Sequence, residues 1–217
     1  MKIALEIEIQ KYQSSFRDDI RMLCCDTAFM GLPLEKAFCD RDFYADFNTN
    51  YYIKHEPDCC FVAADQTKFV GHLLGSKCLT KYALVMPFSV IPAIVKGAYR
   101  CMAGKYDEKS MRFIRWFFEE GYEQTPKMPF GAAHFHIDVK DAYRHAGIGG
   151  KLVECFEHHL QECGVKRCAV QVLFTGKLGA VPFYRKLGFK DYDCKIFTGF
   201  KGFLDDEVKH YTLVKEL

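Results

Sequence analysis

The segment from Ile137 to Leu152 constrains the fold of this chain more than any other, because it predicts a strand that turns sharply into a helix. Glycines stand at positions 147, 149 and 150 of this turn, and helical spacing of apolar residues follows them. Glycine lets the backbone approach a ligand closely, and the first N–H groups of a helix have no partner within the helix. Such a turn is suited to bind phosphate, since the helix dipole also favours an anion there.

Two common phosphate loops do not fit this segment. A Walker loop requires a glycine five positions before its Gly-Lys pair, where this chain has His145, and a serine or threonine where it has Leu152. A dinucleotide-binding fingerprint that starts at Gly147 requires glycine at the same Leu152. The pattern that remains is Arg144, two residues, Gly147, one residue and Gly149.

This pattern resembles the signature of the GCN5-related N-acetyltransferases (the GNAT family), which is Arg or Gln, two residues, Gly, one residue, then Gly or Ala. Val139 stands five residues before Arg144, and residues 180–189, from Ala180 to Phe189, resemble the family's closing helix-to-strand motif. The resemblance covers nearly the whole chain. It implies an α/β fold in one domain, residues 1–217, with a mixed, mostly antiparallel central sheet of about seven strands flanked by helices.

Apolar periodicity predicts the elements of such a sheet. Ile3, Leu5, Ile7 and Ile9 alternate with polar residues, as in a strand with one covered face. A hairpin is predicted from strands at 60–64 and 69–75 around a turn at 65–67. Further strands are predicted at 133–139, 168–174, near 189–197 and at 210–214, and helices at 16–25, at 148–163 and before Gly188.

About 55 residues, 79–133, separate the third and fourth predicted strands, where most family members have a short turn. Residues 82–102 and 108–122 are predicted to be helical, and the second stretch is rich in aromatic residues. This helical insert is interpreted as a lid or wall of the acceptor site, as a core stripe, or as a homodimer contact. The insert and the strand from Ala133 to Asp138 also resemble the acetyltransferase-like region of some O-GlcNAc hydrolases.

Composition indicates which partners and which cellular location to expect for the protein. The chain has 217 residues, 49% hydrophobic residues and a net charge of +2, a balance that indicates neither nucleic acid nor a membrane surface as a partner. The apolar stretch 82–99 contains Pro87, Pro92 and Lys96, so we expect no membrane span, for which about 18 uninterrupted apolar residues are typical. The first residues enter an alternating pattern directly, and we expect a cytoplasmic protein.

Eleven cysteines raise the questions of disulfides and metal. They include no Cys-x-x-Cys pair, and their number is odd. Neither a zinc knuckle nor a disulfide framework fits this spacing, so we expect no metal and predict that the cysteines are small buried apolar residues.

The family resemblance also implies a set of cofactor-binding residues for acetyl-CoA. The family often has an asparagine seven residues before the tyrosine of its closing motif, where this chain has Lys177, and Thr175 is the predicted substitute. Main-chain groups of the fourth strand are expected to bind the pantetheine and the thioester oxygen, and the turn is expected to bind the pyrophosphate. The implied residues are Ile137, Asp138, Val139, Arg144, His145, Ala146, Gly147, Ile148, Gly149, Gly150, Lys151, Thr175, Lys177, Ala180, Phe183 and Tyr184.

Acyl transfer to an amine also needs a proton donor for the departing thiolate and a base for the amine. Tyr184 matches the family tyrosine beside the leaving sulfur and is the predicted general acid; the alternative is a packed aromatic residue with a hydrogen-bonded hydroxyl. His134 and His136 share one face of the fourth strand with Asp138, and a histidine pKa near ~6.5 suits a base.

The position of these histidines leaves alternatives open. Family members with a catalytic group on this strand place it an even number of residues before the valine that matches Val139, whereas His136 and His134 stand three and five residues before it. They are therefore interpreted as a general base, as a satisfied buried pair, or as metal ligands together with Asp138.

Two functions of different classes follow. The first is an acetyl-CoA-dependent N-acetyltransferase that acts on a primary amine of a small molecule or peptide by direct attack in a ternary complex. The second is a non-catalytic acyl-CoA-binding sensor or interaction module on the same fold. The partners expected on the first interpretation are acetyl-CoA and an amine acceptor, with a possible homodimer contact through the insert.

Overall fold

The computed structural model describes residues 7–66 and 68–217, which form a seven-stranded sheet flanked by helices. Its spatial order is β1-β2-β3-β4-β5-β7-β6, and every neighbouring pair is antiparallel except β4 with β5. This confirms the predicted fold class. Ile3, Leu5 and Thr67, which belong to predicted elements, lie outside the described residues. The strands are β1 Ile7–Lys11, β2 Cys60–Asp65, β3 Lys68–Ser76, β4 Ala133–Val139, β5 Arg167–Phe174, β6 Lys190–Phe197 and β7 Val208–Glu216.

Six α-helices of the described residues accompany the sheet, and five of them lie where the sequence predicts a helix. The exception is α2, which begins after Asp40, whose carboxylate accepts a hydrogen bond from the Phe43 amide. The buried side of α2 includes Thr49 and Asn50, so its apolar pattern is weak. The helices are α1 Arg17–Asp26, α2 Arg41–His55, α3 Leu79–Met102, α4 Glu108–Glu119, α5 Ile148–Glu162 and α6 Val181–Lys186.

The sheet separates two apolar cores. On one face, Leu152 and Phe156 of α5 pack with Phe135 of β4, and the α6 side chains join the same cluster. On the other face, Tyr52 of α2 packs with Leu74 of β3 and with α1. Burial of each such side chain contributes about 1.5–3 kcal/mol, so both faces hold the strands in place.

Strands β4 and β5 are paired only at one end. Ala133 pairs with Cys168 and His134 with Ala169, and the described residues show no further ladder pair between these strands. On its other side β4 stays paired with β3 as far as Val139. The residues of β4 after His134 therefore keep main-chain groups free on the side of β5, and a cleft opens there.

The insert packs beside the sheet rather than over the cleft. Helix α3 buries Val90, Ala93 and Gly97, and a Cβ atom at Gly97 would lie 3.0 Å from the Phe43 ring of α2. The aromatic side of α4 packs through Trp116 on Phe197 at the end of β6 and through Phe113 on Phe200, which follows β6.

The predicted helix at 82–102 is present as α3, and the expectation that the chain has no membrane span stays a prediction. Helix α3 continues through Pro87 and Pro92 and, by length and composition alone, is long and apolar enough to cross a membrane. Only 17% of its most apolar window is buried. Its exposed apolar side chains are Leu84, Phe88, Ile91, Ile94, Val95, Tyr99 and Met102, each 48% to 82% exposed.

Candidate active site

A cleft of about 770 Å³ lies between the separated ends of β4 and β5. The turn before α5 and helix α6 line one side of it, and α1, α2 and β3 line the other. Most of the predicted site residues lie together here. Those that line the cleft are His136, Ile137, Asp138, Val139, Arg144, His145, Gly147, Ile148, Gly149, Gly150, Lys177, Ala180, Phe183 and Tyr184.

Four predicted site residues do not line the cleft. His134 is buried behind it, and Ala146 is exposed on the turn. Lys151 lines a second, smaller recess of about 420 Å³ on the outer side of α5. Thr175 closes a turn after β5, where its Oγ1 accepts a hydrogen bond of 3.0 Å from the Leu178 amide. The Thr175 hydroxyl thus lies in this turn, outside the described cleft lining, and its role as a substitute for the family asparagine stays a prediction.

The turn before α5 presents backbone N–H groups to the cleft. Gly147 is the N-cap residue, with a φ of +79° that favours glycine, and within the described chain no side chain caps this helix. The amides of Ile148, Gly149 and Gly150 have no carbonyl group four residues earlier within the helix to which they could donate. They are therefore free to bind an anion. Gly149 has a second role, because a Cβ atom there would lie 3.1 Å from the Phe183 ring.

The Arg144 side chain stabilises this turn through three polar contacts. Its Nε donates a hydrogen bond of 3.2 Å to the Val139 carbonyl, and its Nη1 lies 3.1 Å from a carboxylate oxygen of Asp141. Its Nη2 also donates to the Gly31 carbonyl, at 3.4 Å. The guanidinium thus fixes the end of β4 against the turn, and the positive charge remains at the cleft.

Lys177 lines the cleft, and its ammonium group has one long ion-pair contact among the described residues. Its ammonium group lies 3.4 Å from Asp206, and the side chain is largely exposed. An exposed pair of this kind contributes about 0–1 kcal/mol, so Lys177 is free to turn towards a phosphate.

Tyr184 lies at the apolar wall of the cleft. Its ring packs edge-on against Phe135 and Phe189, with centroid distances of 6.0 and 5.7 Å. Burial, and secondly the nearby Asp138 carboxylate, raise the pKa of Tyr184, so its hydroxyl keeps its proton at neutral pH. Tyr184 is packed and also lines the cleft, and its role as the general acid stays a prediction.

The two histidines of β4 have different surroundings. His134 is buried, with its Nε2 3.0 Å from the Tyr52 hydroxyl, and burial lowers its pKa to about 3. His136 opens into the cleft, although the surrounding protein lowers its pKa to about 4. The interpretation as a buried residue thus fits His134 alone, although its Nδ1 has no hydrogen-bond partner in the described chain, and His136 is a neutral group at the site.

Two polar residues of the cleft, Thr27 and His72, were not singled out by the sequence, and both contact Asp138. The Asp138 carboxylate accepts a hydrogen bond of 2.6 Å from the Thr27 hydroxyl at the end of α1. His72 of β3 stands opposite Asp138 in the register, with its Nε2 3.4 Å from the carboxylate. The alternation of β4 places Asp138 beside His136, but no local pattern connects it with residues on α1 and β3.

The insert does not form a lid or wall of the cleft. The described residues that line the cleft come from outside positions 79–132, which corrects the first interpretation of the insert. Phe113 and Trp116 pack instead on Phe200 and Phe197, as a core stripe would.

The cysteines and possible metal ligands lie mostly away from the cleft. All eleven cysteines are free, and five of them are buried while the others are partly or fully exposed. In the described parts of the chain, one group of three potential ligands, Asp58, Cys59 and His159, has its ligand atoms within 4.8 Å. The Lys77 ammonium already lies 2.6 Å from Asp58, so a cation of the protein occupies this carboxylate.

Comparisons with known proteins agree with this geometry. The sequence profile of the acetyltransferase (GNAT) domain matches residues 97–191. No curated protein matches the sequence. The comparisons do not support the narrower resemblance to the region attached to O-GlcNAc hydrolases.

Solved structures share the fold over almost the whole chain. The crystal structure of SsHAT has a TM-score of 0.66 and 21% identity, covering 97% of this chain and 98% of that chain. The agmatine N-acetyltransferase has a TM-score of 0.57 and 15% identity, covering 98% and 100%. The protein yncA from Salmonella typhimurium, solved with its cofactor acetyl-CoA, has a TM-score of 0.54 and 12% identity, covering 97% and 94%. This chain is thus similar in sequence to the GNAT acetyltransferase domain over residues 97–191 and shares its fold with these structures.

Proposed function

We propose that this protein is an N-acetyltransferase that transfers an acetyl group from acetyl-CoA directly to a primary amine in a ternary complex. The observation that carries this proposal is the cleft between β4 and β5, where an unpaired strand edge continues into an uncapped helix N-terminus. An extended pantetheine arm can pair with such an edge, and a pyrophosphate suits the amides that follow it.

The chain's own residues supply the steps of transfer. Main-chain amides along the free edge of β4 stabilise the negative charge that develops on the thioester oxygen. The hydroxyl of Tyr184, which keeps its proton, donates it to the departing sulfur. Arg144 acts as a positioning residue, because its guanidinium is engaged with the Val139 and Gly31 carbonyls.

A transfer assay tests this proposal. The wild-type protein is incubated with acetyl-CoA and a panel of primary amines, and N-acetylated products are detected by mass spectrometry, because eleven free thiols would disturb assays that count thiols. We expect product with the wild type and a loss of about 100-fold in kcat for Tyr184→Phe, with little change in affinity for acetyl-CoA. Binding of acetyl-CoA without transfer to any amine would instead indicate a non-catalytic acyl-CoA-binding module.

The cellular location of the protein is a proposal of its own. Eleven free cysteines fit a reducing compartment, and we propose the cytoplasm. Localisation of the tagged full chain by microscopy and fractionation tests this, and a membrane-bound fraction would contradict it.

A further inference from the structure

The Asp138 carboxylate is a partly buried anion that no lysine or arginine of the described chain contacts directly. Its side chain is 23% exposed, and in the described chain no lysine or arginine nitrogen lies within 4.0 Å of it. The guanidinium nearest along the chain, that of Arg144, is bound to Asp141 and to main-chain carbonyls. A carboxylate in this position is suited to bind a cation from outside the protein.

The Thr27 hydroxyl allows Asp138 to hold or release a proton without losing its hydrogen bond. Thr27 Oγ1 lies 2.6 Å from Asp138 Oδ1 and 2.8 Å from the Leu23 carbonyl, yet a hydroxyl has one proton to donate. When Asp138 is ionised, Thr27 donates to the carboxylate. When Asp138 is protonated, the carboxyl group donates to Thr27, and Thr27 donates to Leu23.

His72 adds an unsatisfied polar group beside the carboxylate. The ring is fully buried at the floor of the cleft, and neither of its nitrogens has a hydrogen-bond partner in the described chain. Its Nε2 lies 3.4 Å from Asp138, and burial lowers its pKa to about 3, so the ring is neutral and cannot serve as the missing cation. Buried polar groups normally have partners, and their absence here points to a polar ligand or water at this place.

The surroundings of Asp138 indicate how many charges the ligand carries. Asp138 is the one carboxylate among the described residues that line the cleft. On the side of α1, α2 and β3 the lining is otherwise neutral, and several side chains are apolar. These residues are Cys24, Thr27, Ala28, Met30, Tyr44, Asn48, His72 and Leu74.

We propose that Asp138 is the ammonium-binding residue and proton acceptor of the acceptor site, and that the acceptor is a primary monoamine whose remaining atoms are uncharged. This inference rests on the proposed function. A diamine, an oligoamine or a guanidine would bring a second cation, for which the described lining offers no second carboxylate.

The reaction balances in protons and bonds. The bound ammonium gives one proton to Asp138 and becomes an amine, whose lone pair forms a C–N bond with the thioester carbon. The C–S bond breaks with its electron pair on sulfur, which takes the Tyr184 proton. A second nitrogen proton restores Tyr184 through solvent, and Asp138 releases its proton to solvent. The products are the amide, the thiol of CoA and one proton.

We expect the pH dependence of amine binding and turnover to follow the ionisation of Asp138. Burial raises its pKa to about 6, against the opposing effects of the Thr27 hydrogen bond and the Arg144 charge. The neighbouring thiol and phenols have pKa values raised by burial, and the imidazoles have lowered ones, so none of them titrates near pH 6. The groups that face Asp138 are Cys24 of α1, Thr27, Tyr44 of α2, His72 of β3, His136 of β4, Arg144 and Tyr184 of α6.

The test measures binding and turnover of benzylamine. Calorimetry with the CoA-saturated wild type should show benzylamine binding that weakens at least 10-fold from pH 7.5 to pH 5, whereas benzyl alcohol should show no such change. Asp138→Asn should lower kcat/KM for benzylamine by about 100-fold and keep its affinity for acetyl-CoA. Asp205→Asn, which changes an exposed carboxylate outside the cleft, is the matched control. Agmatine should be a poorer acceptor than benzylamine.

The outcomes separate this inference from the proposed function. An Asp138→Asn variant with wild-type kcat/KM, or benzylamine binding that does not change with pH, would overturn the role of Asp138 while transfer itself stands. Better turnover of agmatine would overturn the monoamine class. Binding of benzylamine through Asp138 without any transfer would support the ammonium site and contradict the proposed function. The pH dependence of the wild type decides the matter even where the variant fails to fold.

Discussion

The Thr27 hydroxyl lies 2.6 Å from the Asp138 carboxylate and joins the end of α1 to β4 across 111 residues of sequence. Asp138 is the one acidic side chain of the described cleft lining, and this contact holds it against the α1 side of the cleft. Because the hydrogen bond stabilises the ionised carboxylate, it adjusts the pH range in which Asp138 can accept a proton.

Replacing Thr27 should therefore shift the pH profile. In Thr27→Val the carboxylate loses a donor, its pKa rises further, and the acid limb of kcat/KM should move to higher pH. Thr49→Val is the matched control, because Thr49 is a helical hydroxyl that also donates to the carbonyl four residues earlier, away from the cleft. Steady-state rates from pH 5 to pH 8 measure the shift, and an unmoved limb would contradict this role of Thr27.

Asp138 should also lower the stability of the fold at neutral pH. Its pKa is about 6 in the folded chain and about 3.9 in an unfolded one, so ionisation is easier after unfolding. The folded state thus loses stability as the pH rises from about 4 to about 6 and does not regain it above.

Asp138→Asn removes this cost and should raise the free energy of unfolding by about 3 kcal/mol at pH 7.5, with little effect at pH 4. Denaturant unfolding at both pH values measures the difference. An equal change at the two pH values would show that the effect is not one of ionisation.

The turn after β5 depends on a glycine. Gly179 has a φ of +109°, and a Cβ atom there would lie 2.1 Å from the Leu173 carbonyl oxygen. Gly179→Ala should therefore cost more than about 1–2 kcal/mol of stability and distort the wall of the cleft. Gly150→Ala, where the nearest atom would lie 3.9 Å from the new Cβ, should cost far less. Comparable unfolding midpoints for the two variants would contradict this reasoning.

Helix α3 should mediate a homodimer. Leu84, Phe88, Ile91, Val95 and Met102 follow one another at helical spacings of three, four and seven residues and are all exposed. These side chains and their neighbours Ile94 and Tyr99 are 48% to 82% exposed, and a standard interface takes ~800 Å² from each partner. Among the described residues from Leu84 to Met102 no charged side chain occurs at these spacings, and Lys81 lies one turn before them.

Sedimentation velocity tests the dimer. We expect the wild type to sediment as a dimer at micromolar concentration and the double variant Phe88→Glu, Val95→Glu as a monomer. Ile196→Glu, which replaces an exposed apolar residue of β6, should remain a dimer. A monomeric wild type would contradict the expectation, and its binding to lipid vesicles would assign the same face to a membrane surface.

Local patterns predicted the strands and most helices because those elements have one buried face with regular spacing. The strand Ala133–Val139 and the start of α5 at Ile148 agree with the predicted positions. Helix α2 was not predicted, since Thr49 and Asn50 occupy buried positions that are usually apolar.

The site could be predicted only where it is continuous in sequence. The turn at Gly147 and the closing motif with Tyr184 are local and lie together in the cleft as expected. The position of the insert, the burial of His134 beneath Tyr52 and the partnership of His72 with Asp138 depend on packing between distant segments. Alternation along β4 shows which residues share a face, but not which of them a helix covers.

Acetyl-CoA binding to the turn before α5 is the most direct test of the proposed function. Titration calorimetry of the wild type should show one site for acetyl-CoA per chain. Gly149→Glu should abolish it, because a side chain and a negative charge would enter the place of the phosphates. Gln161→Glu, which adds the same charge near the other end of α5, should bind normally. Absence of binding to the folded wild type, or undiminished binding to Gly149→Glu, would contradict an acetyl-CoA site at this turn.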